Sequence, residues 1–387
     1  MAIFSYYDTE TDAIVYHVIP SSDTDYAPST ISSETDSTVS GTTIRSDDLP
    51  GYFVLHHGRQ QPASKNLAKW YPSDNIRRYV VRYLVSKSTF GGDYIGPVKE
   101  VLAPLQKRER HVLELGTRTG TWIQAMAAEF PHVWFRTLDV VPIMPHVPRH
   151  NVVFEVYDFT EGLRLPDESQ DAVFLNIVME LVKDYKALLR EAHRVLSPGG
   201  LIHINDFKPN FWEHGDISRL AEHTNPMGCL FNRIIRQQVA GAGIDPDTID
   251  KLPEWLAPES EVWNEGQSGF KDVYSDKRTY PFFPHDGHSC MDTIDPSMAP
   301  LFRHFAAACV RDMAGLVRDS GMESEEVDRL IEGVLQEAEQ PEGCVVIKVS
   351  CIYATKIAAN DIRRIHGAKE EDVAGLMWTN EFCQGYK

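Results

Sequence analysis

The chain lacks the features that mark secreted, membrane-spanning and nucleic-acid-binding proteins. Its six cysteines among 387 residues form no Cys-x-x-Cys pair, which favours reduced thiols over a disulfide framework. The apolar runs are too short to span a bilayer, and no basic start with an apolar stretch suggests a secretory signal. Positive charge is also scarce, since 38 Lys and Arg against 56 Asp and Glu give a formal charge of −18, which disfavours nucleic acid. We therefore expect a protein of the cytoplasm or nucleus, without a membrane or direct nucleic-acid partner.

The most informative segment is the sequence HVLELGTRTG, which is typical of a strand, a loop and the start of a helix. The apolar run ends in Glu114, and Gly116 and Gly120 follow it. A dinucleotide loop needs Gly-x-Gly-x-x-Gly, but Arg118 and Thr121 stand at its second and third glycine positions. Glu114 would repel a phosphate, whereas it would attract a cofactor with a positive end. S-adenosylmethionine (SAM), with its ammonium and sulfonium groups, is such a cofactor.

Three further apolar runs, each typical of a buried strand, end in polar side chains. The first ends at Asp139, about 20 residues past the glycines, where a carboxylate grips ribose hydroxyls. The second ends at Asp158, which can accept a hydrogen bond from an adenine amino group while the ring of Phe159 packs near the base. The third ends at Asn176. Because ligands bind at the carboxyl ends of parallel strands, these ends predict a cofactor site. Its predicted residues are Glu114, Gly116, Thr117, Gly120, Asp139, Val140, Asp158, Phe159 and Asn176.

Helical patterns separate these strands. Asp184 is a predicted N-cap of a helix whose apolar residues follow helical spacing, and Ser197-Pro-Gly-Gly200 ends that helix before a fifth strand, 201–206. Strands that alternate with helices predict an α/β fold with a doubly wound, mostly parallel sheet.

These motifs resemble those of the class I SAM-dependent methyltransferases from about residue 51 to 356. Three local patterns, at His57-Gly-Arg59, 139–145 and 196–200, are similar to a fungal branch that contains the velvet-complex regulator of secondary metabolism and many pathway methyltransferases. The resemblance implies a Rossmann-like, seven-stranded sheet with an antiparallel last strand, an N-terminal helical cover and SAM as cofactor. The family's central loop glycine is Arg118 here. A solvent-facing arginine on an unstrained backbone would leave SAM binding intact, whereas a positive φ would weaken it.

The chain divides into three predicted parts. Residues 1–50 are rich in Ser, Thr and Asp and are expected to be largely disordered, with a short hairpin within 2–19. Residues 51–356 form the methyltransferase domain, in which the aromatic-rich insertion 207–268 is expected to act as a substrate lid. Residues 357–387 form a charged C-terminal tail.

Candidate catalytic residues follow from position. Methyl transfer needs mainly alignment, and a base is required only when the acceptor arrives protonated. Glu180 after the fourth strand, Asp206 at the end of the fifth and His214 in the lid are the candidates. The expected function is O-methylation of a small-molecule acceptor in fungal secondary metabolism. The alternative is a velvet-complex-type regulatory protein that acts through protein partners.

The segment Pro284-His-Asp-Gly-His-Ser-Cys290 contains two histidines, an aspartate and a cysteine. Such a cluster could bind a metal ion, but no other part of the sequence pairs with it, and metal sites need convergent ligands. We therefore expect an exposed Gly/Pro-containing loop and no metal.

Overall fold

Two small hairpins precede the main sheet. The computed structural model describes residues 2–8, 13–19, 49–264 and 267–358. Strands β1 (Ala2–Asp8) and β2 (Ala13–Ile19) pair antiparallel, in agreement with the hairpin expected within residues 2–19. The predictions for residues 20–48 and for the tail beyond residue 358 lie outside the described residues. Helix α1 (Leu49–Tyr52) then leads into β3 (Phe53–His56) and β4 (Arg59–Pro62), which form the second hairpin.

A seven-stranded mixed sheet follows, as the resemblance implies. Its strands are β5 (Arg110–Leu115), β6 (Val133–Asp139), β7 (Val152–Val156), β8 (Gln170–Asn176), β9 (Leu196–Glu213), β10 (Phe270–Pro281) and β11 (Val345–Lys356). The spatial order is β10-β11-β9-β8-β5-β6-β7, with β11 antiparallel to both of its neighbours and the remaining pairs parallel. The carboxyl ends of β5, β6, β7, β8 and β9 therefore meet at one edge, where ligands bind in such sheets.

Helices cover both faces of this sheet. They are α2 (Ile76–Phe90), α3 (Val98–Val101), α4 (Thr121–Glu129), α5 (Tyr185–Val195), α6 (Pro226–Gly241), α7 (Thr248–Leu256), α8 (Ala299–Asp312), α9 (Ala314–Arg318) and α10 (Ser324–Ala338). Alternate residues along each central strand point to opposite faces. Leu113 and Leu115 thus join a large core with α2, α5 and α8, while Val112 joins a smaller one with α4. No helix among the described residues has the length and apolar character needed to cross a bilayer.

Strand β9 corrects the predicted start of the lid. The sequence ended the fifth strand at Asp206, but pairing with β11 continues from Phe207 opposite Val349 to Glu213 opposite Val345. This pairing satisfies the backbone groups of residues that the sequence analysis assigned to the lid. The predicted insertion 207–268 therefore begins as an extension of the sheet and continues as α6 and α7.

The N-cap of α5 offers a direct test of the local structure. The Asp184 carboxylate accepts a hydrogen bond from the backbone N–H of Ala187 at 2.9 Å. Asp184→Ala should lower the free energy of unfolding by about 0.5–2 kcal/mol because this N–H loses its acceptor. Asp184→Asn keeps an acceptor and should change it little. Urea unfolding of both variants measures the difference, and equal losses would show that the carboxylate acts through charge rather than as a cap.

Candidate cofactor and acceptor site

The loop between β5 and α4 depends on two glycines in the left-handed backbone region. Gly116 has φ 96°, and a Cβ there would lie 2.5 Å from the carbonyl oxygen of Asn176. Gly120 has φ 70°, and a Cβ there would meet Nδ1 of His146 at 2.7 Å. The loop folds back on β6, since the N–H of Gly116 donates to the carbonyl of Leu138 at 2.9 Å. Any side chain at either glycine would therefore disturb the contact of the loop with its neighbours.

Arg118 lies between these glycines with a positive φ of 50° and a buried side chain. Its backbone N–H donates to Oδ2 of Asp139 at 2.7 Å and its Nη1 to Oδ1 at 2.9 Å. Its Nη2 donates to Oε1 of Glu180 at 2.8 Å. The solvent-facing alternative considered for this arginine is therefore wrong, because two buried carboxylates hold the guanidinium inside the site.

Asp139 consequently has little acceptor capacity left for a ribose. Both N–H groups from Arg118 and the backbone N–H of Val140, at 2.8 Å, already donate to its carboxylate. An ionised carboxylate offers about four acceptor positions, so three of them are occupied. The two hydroxyls of a ribose could both bind Asp139 only if the Arg118 guanidinium moved away.

Glu114 is buried at the mouth of the same loop. Burial raises its pKa to about 7, against the opposing effect of hydrogen bonds from Thr137 Oγ1 at 2.6 Å and Asn176 Nδ2 at 2.9 Å. Thr137 also meets the hydroxyl of the buried Thr117 at 2.5 Å. Glu114, Thr117 and Asn176 therefore form one hydrogen-bonded group at the ends of β5 and β8.

The two residues predicted to contact adenine, Asp158 and Phe159, have surroundings that differ from the expectation. Asp158 accepts hydrogen bonds from Ser64 Oγ at 2.5 Å and from the backbone N–H of Thr160 at 3.0 Å. Phe159 is 1% exposed and belongs to the large core, so its ring offers almost no surface to a base. The prediction that this ring packs beside adenine is therefore not supported by its position.

The three catalytic candidates lie in different surroundings. Burial alone would raise the pKa of Glu180, but the guanidinium groups of Arg82, Arg118 and Arg78 outweigh it and lower that pKa. Arg82 Nη1 donates to Glu180 Oε2 at 2.9 Å, so this carboxylate is an ionised partner of two arginines rather than a free base. The sequence around Glu180 could not reveal these arginines, because they come from distant segments of the chain.

Asp206 and His214 differ in their access to the space above the sheet. Asp206 accepts from the backbone N–H groups of Met179 and Phe207, each at 3.0 Å, and burial raises its pKa to about 7. Asp206 lines the apolar cavity described next. His214 follows the end of β9 and is half-buried. Among the described residues that line this cavity, His214 is absent.

A cavity lies over the carboxyl-terminal half of β9, beneath α2 and α8. Its walls are mostly apolar and aromatic, and they include Trp70, Tyr71, Phe207, Phe211, Phe231, Tyr280, Phe282 and Phe305. Phe231 in α6 belongs to the predicted lid, whereas Trp212 does not line the cavity. Apolar and aromatic cavities with a few polar groups in their walls are typical binding sites for small molecules.

Two arginines of α2 complete the site, and the sequence analysis overlooked them. Arg78 Nε donates to Asp312 Oδ2 at 2.6 Å, and the Arg78 guanidinium lies 4.2 Å from the ring centre of Tyr79. Arg82 follows four residues later, so both face inward with the apolar side of the helix. The i, i+4 spacing of two arginines on the apolar face of a predicted helix was the sequence signal that could have identified them.

Two other residues singled out by the sequence lie at the outer end of this region. His57 binds the carboxylate of Asp319, and Arg59 binds the carboxylates of Asp74 and Asp312.

Comparisons with known proteins agree with this geometry. Residues 92–249 match the family model described as a methyltransferase domain. The chain is 26% identical over 277 residues to the secondary metabolism regulator laeA of Coprinopsis cinerea, covering 69% of this chain and 64% of laeA. It is 25% identical over 244 residues to the methyltransferase pytC of Aspergillus terreus, covering 61% of this chain and 68% of pytC. The chain thus spans less than two thirds of the length of laeA.

Solved structures overlay only partly. Phosphoethanolamine N-methyltransferase 2 of Haemonchus contortus, in complex with phosphomonomethylethanolamine and S-adenosylhomocysteine, has 16% sequence identity and a TM-score of 0.39. That comparison covers 77% of this chain and 62% of the Haemonchus contortus protein. The strand order, the glycine loop after β5 and the family match together identify the chain as one that carries a class I methyltransferase domain, with SAM as the cofactor of that class and with relatives among fungal methyltransferases.

Proposed function

We propose that this chain transfers a methyl group from SAM to an oxygen of a small, largely apolar acceptor. The observation that carries the proposal is the aromatic cavity over the carboxyl-terminal half of β9, with Asp206 in its wall. An aromatic lining suits an acceptor with an apolar ring system, and a carboxylate with a pKa of about 7 suits a hydroxyl that must lose its proton. A secondary metabolite is the class of acceptor that the names of the fungal relatives suggest.

The residues at the cofactor side fit SAM in most respects. Glu114 would face its positively charged end, and Asp139 would accept its ribose hydroxyls. Gly116 and Gly120 allow the loop to pack closely against Asn176 and His146. Arg118 is the residue that opposes binding, since it already uses the Asp139 carboxylate. Cofactor binding in this proposal therefore requires the guanidinium to leave Asp139 while the backbone N–H stays in place.

The chain's own residues then have simple chemical tasks. SAM, when bound, supplies a methyl group on a positively charged sulfur that is a good leaving group. Asp206 accepts the proton of the acceptor hydroxyl, whose electron pair stays on oxygen and forms the new bond to carbon. The aromatic walls orient the acceptor and exclude water, which favours an aligned displacement. Glu180 stays ionised between its arginines and acts as a positioning residue.

A regulatory role through protein partners is the second candidate. The match to the regulator laeA favours it, and so does the occupation of Asp139 by Arg118, because a chain that bound SAM poorly would still present a folded surface. A chain that takes up no SAM and no S-adenosylhomocysteine under any condition would favour this role over catalysis.

Calorimetric titration tests the proposed cofactor first. SAM and S-adenosylhomocysteine should each bind with 1:1 stoichiometry, whereas NAD should give no binding heat. The physical reason is that the loop lacks the dinucleotide glycines and has Glu114 where a pyrophosphate would lie. Tight binding of NAD without any response to SAM would overturn the assignment.

Arg118→Gly should tighten the binding of S-adenosylhomocysteine at least tenfold. The change frees an acceptor position on Asp139, and a hydrogen bond to a charged group contributes about 1.5–3 kcal/mol. Glycine also adopts φ 50° without strain.

Arg108→Gly is the matched control for that variant, since it removes another arginine that pairs with a buried carboxylate, Asp171, at the opposite edge of the sheet. This control should leave the dissociation constant unchanged. Weaker binding in Arg118→Gly than in the wild type would contradict the competition and would make the guanidinium part of the cofactor site.

The raised pKa of Asp206 predicts how stability depends on pH. Its folded-state pKa of about 7 exceeds the ordinary value of 3.8, so the unfolded chain loses this proton first as the pH rises. Stability from this group is therefore present at low pH and is lost between about pH 4 and pH 7. Asp206→Asn removes that loss.

The free energy of unfolding of Asp206→Asn, relative to the wild type, should consequently increase by at least about 1 kcal/mol from pH 4.5 to pH 8. The exposed Asp272→Asn is the control and should show no such trend. Glu114 titrates in the same range in both chains, so its effect cancels in the difference. A pH-independent difference would show that Asp206 has an ordinary pKa.

A further inference from the structure

Three potential metal ligands meet where β10 leaves the sheet and β11 enters it. His285 and Cys290 come from the connection after β10, and Cys344 immediately precedes β11. The ligand atoms of these three residues all lie within 4.8 Å of one another. The sequence analysis dismissed a metal here because it found no partner for the 284–290 segment. Cys344 is that partner, and the expectation of an exposed loop is wrong for His285 and Cys290, which are both buried.

His285 is a buried polar side chain without a hydrogen-bond partner at normal distance and angle. It is 8% exposed, and neither Nδ1 nor Nε2 has such a partner. The backbone carbonyl groups of Ala338 and Glu339, at the end of α10, approach the ring only in weaker polar contacts. A buried polar group that lacks a partner is costly, and such groups call for a specific explanation. A metal ion would satisfy one nitrogen, while a carbonyl could orient the other as it commonly does for ligating histidines.

A backbone donor faces the sulfur of Cys290. Cys290 has no solvent exposure, and the backbone N–H of His285 points at its sulfur at 3.3 Å. A donor directed at sulfur stabilises negative charge there, as hydrogen bonds to charged acceptors do elsewhere. The exposed ring of His288 lies 6.0 Å from that of His285, centre to centre, so a fourth ligand could come from His288 or from solvent.

We propose that His285, Cys290 and Cys344 form a structural zinc site. Two thiolates and a neutral imidazole are ligands that Zn²⁺ prefers, and together with the ion they carry no net charge, which suits a buried place. Binding replaces the two thiol protons, which pass to solvent, and it changes no oxidation state. The second group of potential ligands among the described residues is His56, His57 and Asp319. Both of its histidines already bind that carboxylate, so it lacks a free imidazole.

Zinc at this place would join two connections that are far apart in sequence. Phe282 precedes the cluster and Ile347 follows it, and both line the acceptor cavity. The ion would therefore fix the cavity wall on the β10–β11 side. The site needs neither the proposed methyl transfer nor SAM binding, so it can be tested independently of both.

The zinc content of the full chain, purified under reducing conditions and measured by elemental analysis, tests this assignment. We expect about one zinc per chain in the wild type and in Cys229→Ser, whose cysteine lies outside the cluster, and at least a fivefold lower content in Cys344→Ser. Equal zinc in Cys344→Ser and the wild type would overturn the proposal. So would a wild-type chain that takes up no zinc from an equimolar solution.

Alkylation of the wild-type thiols keeps the test decisive if Cys344→Ser fails to fold. With zinc bound, Cys290 and Cys344 should react slowly with iodoacetamide, and the chelator dipicolinate should accelerate both at least tenfold while Cys229 is unaffected. Rates that do not change on chelation would contradict the site. A disulfide between Cys290 and Cys344 in the zinc-treated chain, seen as a loss of two free thiols, would also contradict it.

Discussion

A buried chain of ion pairs from Arg82 through Glu180 and Arg118 to Asp139 organises the functional half of this molecule. Its members come from α2, the turn after β8, the glycine loop and the end of β6. Because these charges are removed from water, each depends on its neighbours, and the loss of one partner would leave an uncompensated charge at a typical cost of 3–5 kcal/mol. The network therefore connects the helical cover to the cofactor loop in one arrangement.

The same network determines what the site can bind. Asp139 is the carboxylate that we propose for the ribose hydroxyls, and Arg118 holds it with both a backbone and a side-chain donor. Arg118 does so from a positive φ that is unfavourable for a residue with a side chain, so the ion pairs must offset that strain. We infer that cofactor affinity in this chain is reduced by the energy needed to separate Arg118 from Asp139. The cavity at Asp206 in β9 is separated from Asp139 in β6 by β8 and β5, and it does not require that separation of Arg118 from Asp139.

Local signals were sufficient for most of the fold. Apolar runs that end in Asp139 and Asn176 became strands, and Asp184 caps its helix as predicted. Local reasoning failed where a partner comes from elsewhere in the chain. The continuation of β9 beyond Asp206 depends on β11, and the direction of the Arg118 side chain depends on Glu180. Cys344, a single cysteine before a strand, gave no local sign that it would meet His285.

The structure of the chain with bound S-adenosylhomocysteine is the most direct test of the central claim that Arg118 and the cofactor compete for one carboxylate. The distance that decides is the one from Arg118 Nη1 to Asp139 Oδ1, which is 2.9 Å here. We expect this contact to be broken in the complex, with the guanidinium still paired to Glu180 and the ribose hydroxyls bound to Asp139. A complex in which the ribose binds Asp139 while the 2.9 Å contact persists would contradict the competition.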